Sequence, residues 1–136
     1  MGEMNMVFAA PDDETAIAEL GDWLGRPPVH EDDKLGPEVL AELEALLTGR
    51  DSQEIAADPR HCVQITEIFD EGAGVVEAGL VTVTDTLTHA LAVADTEALS
   101  AAAAAWSHGE YAVQGLAIVA RHAAAHGHHM YSFWYF

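Results

Sequence analysis

The stretch from Glu110 to Phe136 constrains this chain more than any other, because EYAVQGLAIVARHAAAH runs through GHH straight into MYSFWYF. Val, Leu, Ile and Ala recur at helical spacing up to Gly127, and the residues beyond His129 are almost wholly apolar or aromatic. The change of period predicts a helix leading into a buried strand. Five of the chain's ten aromatic residues lie in that strand. Alternation puts Met130, Ser132, Trp134 and Phe136 on one face and Tyr131, Phe133 and Tyr135 on the other. Both faces want burial, which requires either a central place in a sheet or helices on one side and a partner, a homodimer included, on the other.

From the start of the chain, Glu3 to Ala9 predicts a first strand with Met4, Met6 and Phe8 on one face and Asn5 and Val7 on the other. Pro11 stops it, and Asp12 or Asp13 can cap a helix in which Ile17, Leu20 and Leu24 recur at helical spacing beside Ala16 and Trp23. Gly25 ends that helix. The segment RPPVHEDDKLG cannot be helical through Pro27 and Pro28, and its charge should keep it wet, which makes it a candidate recognition loop. Gly36 and Pro37 open a second helix with Val39, Leu40, Leu43, Leu46 and Leu47 as the buried stripe and Glu38, Glu42 and Glu44 turned away. RDSQEIAADP reads as polar loop with room for one helical turn. HCVQITEIF and VVEAGLVTVT read as two strands of a hairpin joined by DEGAG. A helix capped at Asp58–Pro59, with Cys62, Ile65, Ile68 and Phe69 as its stripe, fits the first of these nearly as well. Asp85 and Asp95 can each cap a further helix, and the run Ala101 to Ala105 suits a tight helix contact closed off by Trp106.

With 136 residues and no linker or repeat, the chain reads as one globular domain, residues 1–136. No stretch approaches the ~20 apolar residues that span a bilayer, and the N-terminus lacks the basic region and long apolar core of a secretory leader. A cytoplasmic protein is expected, in keeping with the single cysteine, Cys62. Charge is the extreme quantity: 23 acidic residues against five Lys and Arg give a net charge of −18. Such a surface repels phosphate backbones and anionic lipid, so nucleic acid and membrane are excluded as direct partners. The acidic residues crowd the first half of the chain, while the second half is alanine-rich and apolar. An asymmetry of this kind points to a partner, to a solubility need, or to a general acidity of the source proteome.

Two constellations stand out. Glu31, Asp32 and Asp33 sit behind two prolines that stiffen their segment, and Glu38 and Glu42 extend them along the following helix into an acidic ridge. Val29 and Leu35 are the apolar anchors nearest to hand. Such a ridge suits a basic protein partner. The second constellation is HAAAHGHH. His122 and His126, four apart on a helix, share a face, and His129 beyond the turn can supply a third imidazole for Zn or Ni. The competing explanation is that histidines near a helix C-terminus oppose the negative end of its dipole. No phosphate-binding glycine loop, nucleophile elbow or metalloprotease helix motif is present, so no catalytic residue is named.

The expected fold is therefore α+β: a two-layer domain in which the C-terminal strand pairs with the first strand, a hairpin completes a small mixed or antiparallel sheet, and four to five helices pack on it. A mostly helical domain with a small sheet is the alternative. The expected function is that of a small acidic cytosolic binding protein, an immunity or inhibitor protein that occludes a basic surface. The alternative is a small-molecule or metal-binding protein, an enzyme among the options, that uses the histidine cluster and nearby aromatics.

Overall fold

The computed structural model describes residues 3–70 and 76–136. Five strands, β1 (Met4–Ala10), β2 (His30–Asp33), β3 (Gln64–Asp70), β4 (Val76–Thr82) and β5 (His129–Tyr135), form one sheet in the order β2-β1-β5-β4-β3. Every neighbouring pair is antiparallel. Among the described residues seven helices accompany it: α1 (Asp13–Ala18), α2 (Leu20–Leu24), α3 (Pro37–Thr48), α4 (Ser52–Ala56), α5 (Asp85–Val93), α6 (Thr96–Ala105) and α7 (Gly109–His126). The domain is α+β, with a sheet larger than the helix-dominated alternative would have. Among the described residues no helix is long and apolar enough to cross a membrane.

The aromatic strand takes the central position that its two apolar faces demand. β5 lies between β1 and β4, with Met4 opposite Tyr135, Val7 opposite Ser132 and Ala10 opposite His129. Gly127 makes the transition from α7: its φ of 66° is left-handed, and the His128 amide returns to the Ala123 carbonyl at 2.8 Å. On one face of the sheet Val7, Ala9 and Met130 join Leu40, Leu43, Leu87, Leu91, Leu99 and the inner side of α7 in the main core. Ala102 and Ala103 are buried there, as a close helix contact requires, and Trp106 covers the end of α6 while its indole donates to the Val39 carbonyl at 2.9 Å. On the opposite face Phe8, Ala10, Leu80 and Tyr131 pack with Ala16, Leu20, Trp23 and Leu24. Helices thus lie against both faces, heavily on one and locally on the other.

Several expectations need correction. The first helix is two: the chain breaks at Glu19, Trp23 donates its indole hydrogen back to the Thr15 carbonyl at 3.2 Å, and Ile17 is exposed while Ala16 is buried. The 61–69 region follows the hairpin reading, but its strand begins at Gln64. Cys62 has φ of 48°, so His61 and Cys62 sit in a bend and do not alternate across a strand. The DEGAG turn falls outside the described residues from Glu71 onward. Thr84, and not Asp85, caps α5, accepting from the Leu87 amide at 3.0 Å, whereas Asp95 caps α6 as expected.

Candidate functional site

The segment expected to be a wet loop contains a strand. HEDD forms β2 at the edge of the sheet, bonded to β1 through His30 opposite Val7 and Asp33 opposite Met4. Strand alternation then divides the acidic run. Glu31 and Asp33 project to one side and are exposed; His30 and Asp32 project to the other, toward α7. His30 is buried at 5% exposure, and its Nε2 meets Asp32 Oδ2 at 3.1 Å. Asp32 Oδ1 accepts from the Asp33 amide at 2.8 Å. Asp32 is therefore fixed in place, and the displayed carboxylates are Glu31 and Asp33.

Behind β2 the chain is pinned by Asn5, whose Oδ1 accepts from the Leu35 amide at 2.9 Å and whose Nδ2 donates to Ser132 at 3.2 Å. Leu35 is consequently inside the main core at 2% exposure and is no anchor for a partner. Val29 is half-buried against the Phe8 and Leu80 side of the sheet. The apolar surface beside the carboxylates comes instead from the start of α3. A hollow of about 390 Å³ is lined by Glu3, Lys34, Gly36, Pro37, Glu38 and Val39. A second, of about 370 Å³, lies between α3 and α4, with Ala41, Ala45 and Ala56 as its floor and Glu38, Glu42 and His61 among its walls. The two share Pro37 and Glu38, so an apolar saddle is edged by Glu3, Glu38 and Glu42, with the exposed Glu31 and Asp33 carried on the strand just before it.

Neither a protein-family model, a curated protein nor a solved structure matches this chain.

α3 is held by a carboxylate that the helix pattern was expected to turn outward. Glu44 is buried at 1% exposure. One oxygen accepts from Thr84 and the other from Arg50 Nη1 at 2.9 Å, and the same Nη1 donates to Asp58 Oδ2 at 3.0 Å. The Asp58 and Glu44 carboxylates hold the Arg50 guanidinium protonated even more firmly than usual. The signal was present in the spacing: Leu40, Leu43, Glu44 and Leu47 form one helical stripe, and Leu46, expected inside, is 41% exposed. Nearby, burial pushes the Cys62 thiol up to about 12, which keeps this half-buried group protonated at neutral pH.

A second polar network adjoins the first, its Arg60 amide donating to Asp58 Oδ1 at 2.9 Å and its Asp85 following Thr84 in the chain. Asp13 accepts from Tyr131 at 2.6 Å and from Arg60 Nη2 at 3.0 Å, and Asp85 accepts from His129 Nδ1 at 2.6 Å. The Arg60 contact holds the Asp13 carboxyl below its usual range, while burial, then the bond to Asp13, raises the Tyr131 phenol. His129 is thus hydrogen-bonded to Asp85, on the sheet face of Ala10 and Tyr131, and lies apart from the other histidines of the cluster. The third place in that cluster is taken by His128, which lies with His122 and His126 beside Trp23.

Proposed function

We propose that this chain is a small acidic binding protein of the cytoplasm that occludes a basic surface on a protein partner, as an immunity or inhibitor protein does. The observation that carries this reading is the saddle at the start of α3, where Pro37, Val39 and Ala41 lie among Glu3, Glu38 and Glu42, with Lys34 at the Glu3 end and the exposed Glu31 and Asp33 just before it in the chain. Lys and Arg side chains have apolar stems and charged heads, and such a surface offers both what they need. The aliphatic part of a partner's side chain sits in a hollow while its head meets the rim.

The edge strand supports recognition by side chains over strand addition. β2 is short and carries a charge at three of its four positions, which disfavours pairing with a foreign strand. Exposed pairs contribute only ~0 to 1 kcal/mol each, so the carboxylates act mainly by speeding encounter, and the hollows supply the contacts that slow release.

The test is capture of the partner from the native host, followed by association kinetics with the triple variant Glu31→Gln, Asp33→Asn, Glu38→Gln. The association rate should fall about tenfold or more at low salt and converge with the parent's as salt is raised. Val39→Ala should act chiefly on dissociation. A partner whose association rate ignores both the triple change and the salt would overturn the reading.

A further inference from the structure

We propose that His122, His126 and His128 form a three-imidazole site for a transition-metal ion of the Zn2+ or Ni2+ class, opening on the pocket between α7 and the α2–β2 connection. The ring centres are 4.2 Å apart for His122 and His126, 5.6 Å for His126 and His128, and 6.2 Å for His122 and His128. Three imidazoles on one tetrahedral ion, with metal–nitrogen bonds of about 2.1 Å, have ring centres about 5 Å apart. The observed distances bracket that value, and the His122 and His126 rings, stacked at 29° to each other, must turn for their nitrogens to converge on one ion.

The backbone explains how the three rings meet. His122 and His126 are one turn apart on α7 and share a face. Left-handed Gly127 then reverses the chain and returns His128 beside them before β5 begins. His126 Nδ1 lies 2.9 Å from the His122 carbonyl, an interaction in which it donates, so Nε2 keeps its lone pair for a ligand. His128 Nδ1 is buried and has no hydrogen-bond partner among the described residues. Stabilisation of the α7 dipole accounts for His126 in the last turn. It does not account for His128, which lies beyond the cap.

The pocket beside them, about 240 Å³, is lined by Ala9, Trp23, Arg26, Pro27, Pro28, His122 and His128. Three protein ligands leave a fourth position open, as in zinc sites that take an exchangeable ligand. Arg26, stacked over Trp23 with its guanidinium carbon 4.8 Å from the ring centre, is the charged group of that wall and suits an anion in the fourth position.

Titration of the metal-free protein with Co2+, followed by its visible absorption and by calorimetry, with Zn2+ in competition, tests the site. One equivalent should bind with the intensity of tetrahedral coordination. His122→Ala, His126→Ala and His128→Gln should each weaken binding by about 100-fold or more, above the range typical of supporting partners. His129→Ala should leave it unchanged. Among the described residues the group whose ligand atoms already lie within 4.8 Å of one another is Asp32, Asp33 and His108, so the double variant Asp32→Asn, Asp33→Asn is the decisive control. The proposal is overturned if the parent shows no saturable binding, if His128→Gln binds like the parent, or if the aspartate variant, an excess of Mg2+, or both remove the binding. Circular dichroism of each variant separates loss of a ligand from loss of fold.

Discussion

Glu44 shows how a single residue can be misjudged by its chemistry while being correctly placed by its position. Its spacing from Leu40 and Leu47 puts it on the inner stripe of α3, yet a carboxylate is ordinarily read as facing water. What makes its burial tolerable lies partly outside local sequence: Arg50 is close along the chain, but Thr84 is 40 residues away. Removing one member of a buried ionic cluster leaves the others uncompensated. Glu44→Ala should therefore destabilise the domain by about 3 kcal/mol, the low end of what breaking a buried pair costs, because Arg50 retains some access to water. Glu42→Ala, on the exposed face of the same helix, should change stability by less than about 0.5 kcal/mol. Urea denaturation of the two variants is the measurement, and equal midpoints would show that Glu44 is not a structural tie. The histidines follow the same lesson: spacing along α7 was enough to pair His122 with His126, but the choice between His128 and His129 depended on how Gly127 turns the chain.

At the scale of elements, legibility tracks the strength of the hydrophobic period. α7 and β5 were readable because an apolar stripe of period 3.6 gives way to a dense aromatic run at a glycine. The hairpin was readable from its branched residues. β2 was not, since HEDD has no apolar alternation; it is a strand only because β1 offers it a row of backbone partners. The α1–α2 break was equally invisible, for the bond from Trp23 to the Thr15 carbonyl leaves no mark on the hydrophobic pattern. The join between β2 and α7 is tight enough to test. A Cβ on Gly115 would lie 2.0 Å from His30 Nδ1. In an open helix Gly→Ala gains about 1 kcal/mol, whereas overpacking a closed contact costs about 1–3 kcal/mol. Gly115→Ala should thus be net destabilising, and it should speed hydrogen exchange selectively in β2, because His30 must leave its place above the helix. A stabilised protein with unchanged exchange would mean that the ring moves aside freely.

For the whole molecule, the pairing of the terminal strands, the hairpin and the helical cover of one face were legible; the placement of α1 and α2 on the reverse face was not, since Ala16 and Trp23 look alike from either side of a sheet. The charge has a consequence at this scale. With a net charge of −18 and five Lys and Arg, most carboxylates have no cation to meet, so the folded state carries uncompensated repulsion. Raising NaCl from about 10 mM to about 1 M shortens the screening length from roughly 30 Å to roughly 3 Å. The thermal midpoint should rise by several degrees across that range, while the Glu44–Arg50 tie, whose carboxylate is buried, should be weakened less than pairs exposed on both sides. A midpoint that falls with salt would show that surface pairs, and not repulsion, dominate.

The hydrogen bond from Asn5 to Ser132 joins residues 127 apart in sequence, at the seam where β1 meets β5. Everything else in the sheet flanks that seam. Contacts of such separation are the slowest to find, because loop closure must precede any gain from the pairing, and folding rates fall as the mean separation of contacts grows. During synthesis β5 leaves the ribosome after the other elements of this sheet, so β1 must wait, unpaired on one side and without Tyr131 stacked on Phe8, for the rest of the domain to be made. A strongly acidic chain is well suited to that interval. Nascent copies repel one another, and the charge that burdens the finished fold guards it while it is still incomplete.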